Sequence, residues 1–466
     1  MKCSLTKSCC VALALRSRSF PRLSVCFILT GILFLSGCTY IFGAGPTLHE
    51  KLIASAGLRL VEEVSVIDLS HPKSVATTSE ISGETLDVPE EGGVSTHEIG
   101  ADSFYSAVLH RDEVVGLAPS FDGLRLFSAG SDGSVVLSEL VNKDGVSVWS
   151  RKAKSQPRLR KTVMLRGERP LTAIALSPRE EYLALSWFSS VAVFELSSRR
   201  FIAQLTAVEG RISALSWDPR GQLLALGTAT GDTYIWRPFD PSPDRSNNLR
   251  SLELYQGATS SIVSLQFTPN GRSFFVAEKD RSASLWRLLR TERELGLDKV
   301  VKPYEPQDQI QMGRESIPLE QVKGQVRGAW LSPDGTLFFL VTDEGQLNRY
   351  KVRGLRHEAW DEVSRDSVLG ISGLISGVFS NKQWQEILML ATSDREQRVK
   401  FWCAEGGRPI YSSVRLQDPV QMLSASAGSG VLWGIQKTGS VVMFDSSVFA
   451  TKALSAPLKS CLNQSP

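Results

Sequence analysis

"ISALSWDPRGQLLALGTATGDTYIWRP", residues 212–238, reads as three short strands separated by two turns. Ile212 to Trp217 alternates apolar with small polar residues, the period of a half-buried strand. Asp218-Pro219-Arg220-Gly221 ends it with turn chemistry: Asp bonds nearby backbone, Pro presets its own φ, and Gly accepts positive φ. Leu223 to Gly227 is a second strand of small and apolar residues. After a second polar turn, Thr233 to Trp236 forms a third strand that ends on an aromatic side chain.

The same pattern recurs from Val114, Leu171, Ile262 and Val326, and in weaker form from Ile371 and Val420. Asn270-Gly271 and Asp334-Gly335 supply the positive φ that tight turns need. The third strands end on Phe194, Trp236, Trp286, Tyr350, Trp402 and Phe444. Strands this short and evenly spaced predict an all-β chain built from repeats.

Over residues 104–449 this pattern resembles the WD40-repeat β-propeller. The resemblance implies an all-β, WD40-like propeller of four-stranded antiparallel blades, seven by the repeat count, with eight as the alternative. The Trp-Asp dipeptide is never intact, and Phe444-Asp445 comes closest. Leu109-His110 is the single echo of the Gly-His dipeptide. The Asp-His-Ser-Trp hydrogen-bond tetrad of strict members is therefore not expected, and apolar packing between blades is. Ring closure borrows an outer strand from the N-terminal side, and Phe104, Ala107 and Leu109 suit that strand. Lys51 to Ser70 is the candidate for an eighth, split blade that the tail at 450–466 would finish. Residues 70–100, rich in Ser, Thr, Glu and Gly, read as a tether.

Residues 1–37 read as an export signal. Lys2, Lys7, Arg16, Arg18 and Arg22 precede an apolar run from Val25 to Leu35, with no acidic residue before Glu50. Leu35-Ser36-Gly37-Cys38 resembles the bacterial lipobox, which implies lipidation of the Cys38 thiol. Stable anchoring needs more than one acyl chain, and a multiply acylated Cys38 meets that need. Thr39 in place of Asp favours the outer membrane under the lipoprotein sorting pattern. The alternative is an uncleaved signal-anchor helix, since Leu23 to Leu48 carries no charge and is long enough to span a bilayer. Both readings export everything after residue 38.

Composition narrows the partners. Five of the 52 basic residues and none of the 49 acidic ones precede Cys38, which leaves 47 basic against 49 acidic, a formal charge of −2. That is no footprint for nucleic acid. A monomer with protein partners and a membrane anchor is the expectation. Cys403 and Cys461 share a disulfide-tolerant compartment, but separate thiols are favoured because Cys461 lies near the chain end.

Long connections follow the third strand at 141–160, 238–250 and 289–316, and in a propeller all such connections emerge on one face. The first gathers Arg151, Lys152, Lys154, Arg158, Arg160 and Lys161 without an acid. These residues are the candidate contact for an acidic partner or anionic lipid headgroups, weighed against a plain solvated insertion. Catalysis has little to stand on. His49, His71, His97, His110 and His357 make no metal-ligand spacing, no nucleotide or nucleophile motif occurs, and no cofactor is expected. Asp132, Asp232, Asp280, Asp343 and Asp394 recur at the turn between second and third strands, which is turn chemistry and not a catalytic pair. The reading is an exported, lipid-anchored interaction scaffold at a bacterial envelope membrane. A propeller enzyme on an envelope substrate and a sensor domain on an uncleaved helix are the alternatives.

Overall fold

A computed structural model describes residues 57–450 together with Leu458 and Cys461, apart from 73–96, 142–157, 240–251, 289–313 and short loop stretches at 207, 256–259, 281, 318–321, 363–366, 381–382, 405–408, 426–429 and 437–438. Cys38 and the apolar segment around it lie outside the described residues. Three strands precede the first repeat: β1 (Arg59–Asp68), β2 (His97–Ile99) and β3 (Phe104–Val108). The first repeat is β4 (Val114–Pro119), β5 (Arg125–Gly130), β6 (Ser134–Val141) and β7 (Arg158–Arg166), which form blade 1 from the inside outward. Blades 2 to 7 begin with inner strands Ala173–Leu176, Ile212–Trp217, Ile262–Phe267, Val326–Leu331, Val368–Ser380 and Val420–Ala425. Each inner strand touches the next, and the last touches β4, so the seven antiparallel sheets close a β-propeller.

Apolar packing between sheets holds the ring. Seven clusters of buried side chains occupy the seven junctions between neighbouring blades. The aromatic that ends each third strand sits in them: Phe194, Trp236, Trp286, Tyr350, Trp402 and Phe444 are each at most 3% exposed. Blade 1 places Ser138, opposite Leu126, at that position. Blade 4 stacks Phe274 on Trp286 at 6.5 Å, with Tyr255 edge-on to both rings.

β3 pairs with Ser440–Asp445 and completes blade 7, as its apolar residues predicted. The segment before it does not start an eighth blade. β1 instead pairs antiparallel with β7 as a fifth strand on the outside of blade 1. The reason is an open strand edge with matching charge: Asp68 meets Arg158 at 2.8 Å and Glu63 meets Arg166 at 2.6 Å. β2 adds to the outer strand of blade 6, Pro409–Ser413, in parallel. The N-terminal segment therefore joins the rims of blades 1, 7 and 6 across the seam where the ring closes.

The C-terminal end also differs from the expectation of separate thiols. Cys403 and Cys461 form a disulfide, with Cα atoms 5.7 Å apart. Leu458, fully buried, packs into the junction of blades 6 and 7 beside Phe401, Tyr411 and Phe449. This apolar contact ties the tail down and brings the two sulfurs together.

A second correction concerns the tetrad, of which three members assemble in blade 1. His110 is 3% exposed, its Nε2 lies 2.8 Å from the Ser128 hydroxyl, and its Nδ1 lies 2.7 Å from the Ser134 hydroxyl. The Asp132 carboxylate accepts the Arg111 and Ser134 backbone N–H groups. Ser138 stands where the tetrad's Trp would be. Blade 6 keeps the complementary half, with Trp402 Nε1–H donating to the Thr392 hydroxyl at 2.8 Å. The blade 7 turn at Gly439 clasps the backbone at His110, accepting the Leu109 and His110 N–H groups. A β-carbon at Gly439, where φ is 70°, would fall 2.3 Å from the His110 oxygen.

Burial by itself would raise the Asp132 carboxyl pKa, but the hydrogen bonds from His110, Ser134 and the Arg111 N–H outweigh it and hold the group well below the usual carboxylate range. A folded-state pKa below the unfolded value adds stability that is present above about pH 4 and is lost as pH falls toward the folded value. Asp132→Asn should therefore be less stable than wild type at pH 7, with the gap closing below about pH 4. Denaturant midpoints across that range check this, and a gap independent of pH would contradict it.

Candidate functional site

Antiparallel pairing sorts the connections of every blade onto two faces. The turns between second and third strands and the links to the next blade lie where the inner strand begins. The turns between first and second strands lie on the other face, with the connections from third to outer strand. The strand ends that flank the long insertions lie on this second face. The first-to-second-strand hairpin of blade 6, Val368–Ser380 with Gln383–Asp394, also extends that way, well past the six-residue strands of blade 5.

A cavity of about 930 Å³ lies on the inner strands of blades 4 to 7. Trp330, Leu369 and Met422 give it apolar walls, and Gln421 adds a polar one. Two arginines line it, Arg327 early in the blade 5 inner strand and Arg395 in a blade 6 turn, and no carboxylate is among the lining residues. Arg327 Nη2 lies 3.5 Å from the Asp343 carboxylate, while its Nε is buried with no partner among the described residues. Trp330 fits because Gly373 has no side chain: a β-carbon there would sit 2.0 Å from the indole. Ser264, Ser372 and Ser424 also line the space, with no histidine or carboxylate among the lining residues to serve them as a general base.

Only part of the sequence-derived contact set is described. Arg151, Lys152 and Lys154 lie outside the described residues. Arg158, Arg160 and Lys161 are not on a loop, because β7 begins at Arg158. Arg158 pairs with Asp68, and Arg160 lies 3.4 Å from Glu139. Burial lowers the pKa of the half-buried Lys161 ammonium. Strand pairing thus takes up the C-terminal half of the basic cluster. In blade 3 the root of the second insertion is fixed: Phe239 stacks on Trp217 at 6.1 Å and meets Tyr182 at 4.7 Å.

The recurring aspartates are engaged locally. Asp343 accepts the Gln325 N–H, Asp394 the Arg398 N–H, Asp280 the Ser282 hydroxyl and Asp232 the Thr230 hydroxyl. Among the described residues no three His, Cys, Asp or Glu side chains come together as a metal site. No helix among them is long and apolar enough to cross a membrane. Residue-by-residue reading missed the cavity, because its walls are shared by four blades and converge only when the ring closes. The available signal was weak: an arginine beside the first residue of one inner strand, and another just after a turn aspartate.

Fold and site together define a seven-bladed β-propeller with a cleft at its channel. Residues 249–287 match the family model for the WD domain, G-beta repeat. The chain is 24% identical over 129 residues to the periodic tryptophan protein 2 homolog of Neurospora crassa, covering 27% of this chain and 14% of that protein. It is 28% identical over 119 residues to the same-named homolog of Schizosaccharomyces pombe, covering 25% of this chain and 13% of that one. The Protein LST8 homolog of Drosophila melanogaster is 24% identical over 121 residues, 26% of this chain and 38% of its own length. The chain therefore spans well under half the length of the curated relatives it matches.

Proposed function

We propose that this protein is an interaction scaffold, carried to a bacterial envelope membrane by a lipidated Cys38 and exposed to the periplasm. The ring supports the scaffold part: WD40 propellers commonly hold other proteins, and this one offers two differently built faces and no convergent catalytic set among the described residues. The single observation that carries the anchor is Leu35-Ser36-Gly37-Cys38 at the end of a short apolar run behind a basic stretch. The Cys403–Cys461 disulfide supports export to an oxidising compartment. Basic residues before β7 would add about 1 kcal/mol each near an anionic surface, less with salt, and would modulate attachment without creating it. The outer membrane is the favoured address, from Thr39 after the lipidated cysteine.

Palmitate labelling tests the anchor. The wild-type chain should take up label and lose its first 37 residues. Cys38→Ala should accumulate as an unlabelled, full-length precursor. Normal processing of the mutant would exclude lipidation at Cys38, and a wild type that keeps its full length without label would favour the uncleaved helix.

A further inference from the structure

We infer that the channel cavity is a binding site for a small organic anion, a carboxylate carried on an apolar body of aromatic size, held by Arg327 and Arg395. The inference goes beyond the scaffold reading and depends neither on that reading nor on the anchor.

A repeated backbone irregularity aims the lining residues. In six blades the pairing of the inner strand with the second strand slips by one residue near the start of the inner strand. The residues left unmatched are Val115, Ser213, Val263, Arg327, Leu369 and Gln421. A bulge of this kind re-aims a side chain, and the last four of these line the cavity. Arg327 is the one charged residue in the series.

Arg395 reaches the same end of the cavity. Its N–H donates to the Ser367 oxygen at 3.1 Å, beside Val368, where the blade 6 inner strand begins. That strand lies close against the inner strand of blade 5: a β-carbon on Gly328, next to Arg327, would fall 3.2 Å from the Ile371 side chain. Two guanidiniums therefore line the cavity from the starts of adjacent strands.

Neither charge is fully met from within. One Asp343 oxygen reaches Arg327 Nη2 only at 3.5 Å, and the other already accepts the Gln325 N–H at 2.6 Å. Arg327 Nε is buried without a partner among the described residues, a costly state for a donor on a cation. Arg395 is exposed and makes no ion pair among the described residues. Water could meet the Nε donor, but it brings no negative charge, and no carboxylate lines the space.

Much of the remaining polar lining is spent on the ring itself. Gln266 Nε2–H donates to the Ala329 oxygen at 3.0 Å, and its Oε1 accepts the Leu331 N–H at 2.7 Å. The Ser372 hydroxyl accepts the Ala425 N–H at 3.0 Å. An extended peptide needs backbone partners along its length, and these walls offer few. Trp330, Leu369 and Met422 offer apolar surface instead, and about 930 Å³ is the size of a small-molecule site. Cations at one end and apolar walls beyond them select a ligand with one anionic and one apolar end.

Equilibrium dialysis of the full chain in a neutral detergent, with protein-free micelles as the blank, tests this with 1-naphthylacetate and its uncharged amide. The acid should bind saturably with a Kd below about 1 mM. Its bound-to-free ratio should exceed that of the amide by about tenfold. Arg327→Gln and Arg395→Gln should each bring the acid down toward the level of the amide. Arg395→Gln should melt as wild type does, because the side chain is exposed on a turn, so it reads the site even where Arg327→Gln disturbs the fold. The proposal is overturned if the acid shows no saturable binding up to about 5 mM, if acid and amide bind equally, or if Arg395→Gln keeps wild-type affinity for the acid. None of these outcomes bears on the Cys38 anchor, which palmitate labelling tests separately.

Discussion

Trp286→Ala should cost about 3–5 kcal/mol of unfolding free energy, the usual loss for truncating a buried aromatic. Trp286 is 3% exposed at the junction of blades 3 and 4, among Phe274, Tyr255 and Phe267. Removing it opens a space that a sheet cannot close by shifting, because both neighbours are fixed in the ring. It also strands a polar group, since Trp286 Nε1–H donates to the Ser284 hydroxyl at 2.9 Å and Ser284 is fully buried. Trp286→Phe separates the two contributions. It keeps most of the apolar volume and should lose only the hydrogen-bond share, about 1 kcal/mol or somewhat more. Denaturant midpoints measured on both variants check this, and equal losses would mean that the hydrogen bond, and not the packing, dominates.

Cys461→Ser should have the next largest effect. The disulfide spans 58 residues of sequence, and a cross-link of that length removes denatured-state entropy worth about 4 kcal/mol on the chain-entropy model. It also keeps Leu458 in place over Phe401 and Tyr411. Dithiothreitol should lower the melting temperature of the wild type to near that of Cys461→Ser, and leave the mutant unchanged. A wild type insensitive to reductant under denaturing access would show that the two sulfurs do not pair in solution.

How much of this was legible in advance depends on how local each cause is. The strands, their turns and the buried aromatics at their ends follow from consecutive residues, since alternation, Asp-Gly chemistry and the fixed offset of the aromatic all lie within one repeat. Trp236 and Trp286, matched by position alone, are both buried. The closing strand was legible for the same reason, as Phe104 and Ala107 are both buried, one against blade 6 and the other against blade 1. The tetrad is not legible from intact dipeptides, because its His and Asp can sit in altered ones. Leu109-His110 does the work of Gly-His in blade 1, where Gly130 leaves room for the imidazole: a β-carbon there would fall 2.5 Å from Nδ1.

The sequence by itself determined an all-β repeat and the two ends of each blade where turns and insertions fall, and left seven blades or eight for the structure to decide. The tertiary structure alone decided what the flanks do and where the ring is open. β1 can be read as the start of a blade until β7 offers it an edge. Cys461 looks like a loose thiol until Leu458 is seen to fill a cavity between blades 6 and 7. The channel cleft has no signature, because its walls run from Val263 to Ala425 and meet only across the axis of the ring. Periodicity is a short-range property of the chain, whereas a cleft, a cross-link and a shared strand edge require residues far apart in sequence to be brought together, and closure of the ring does that.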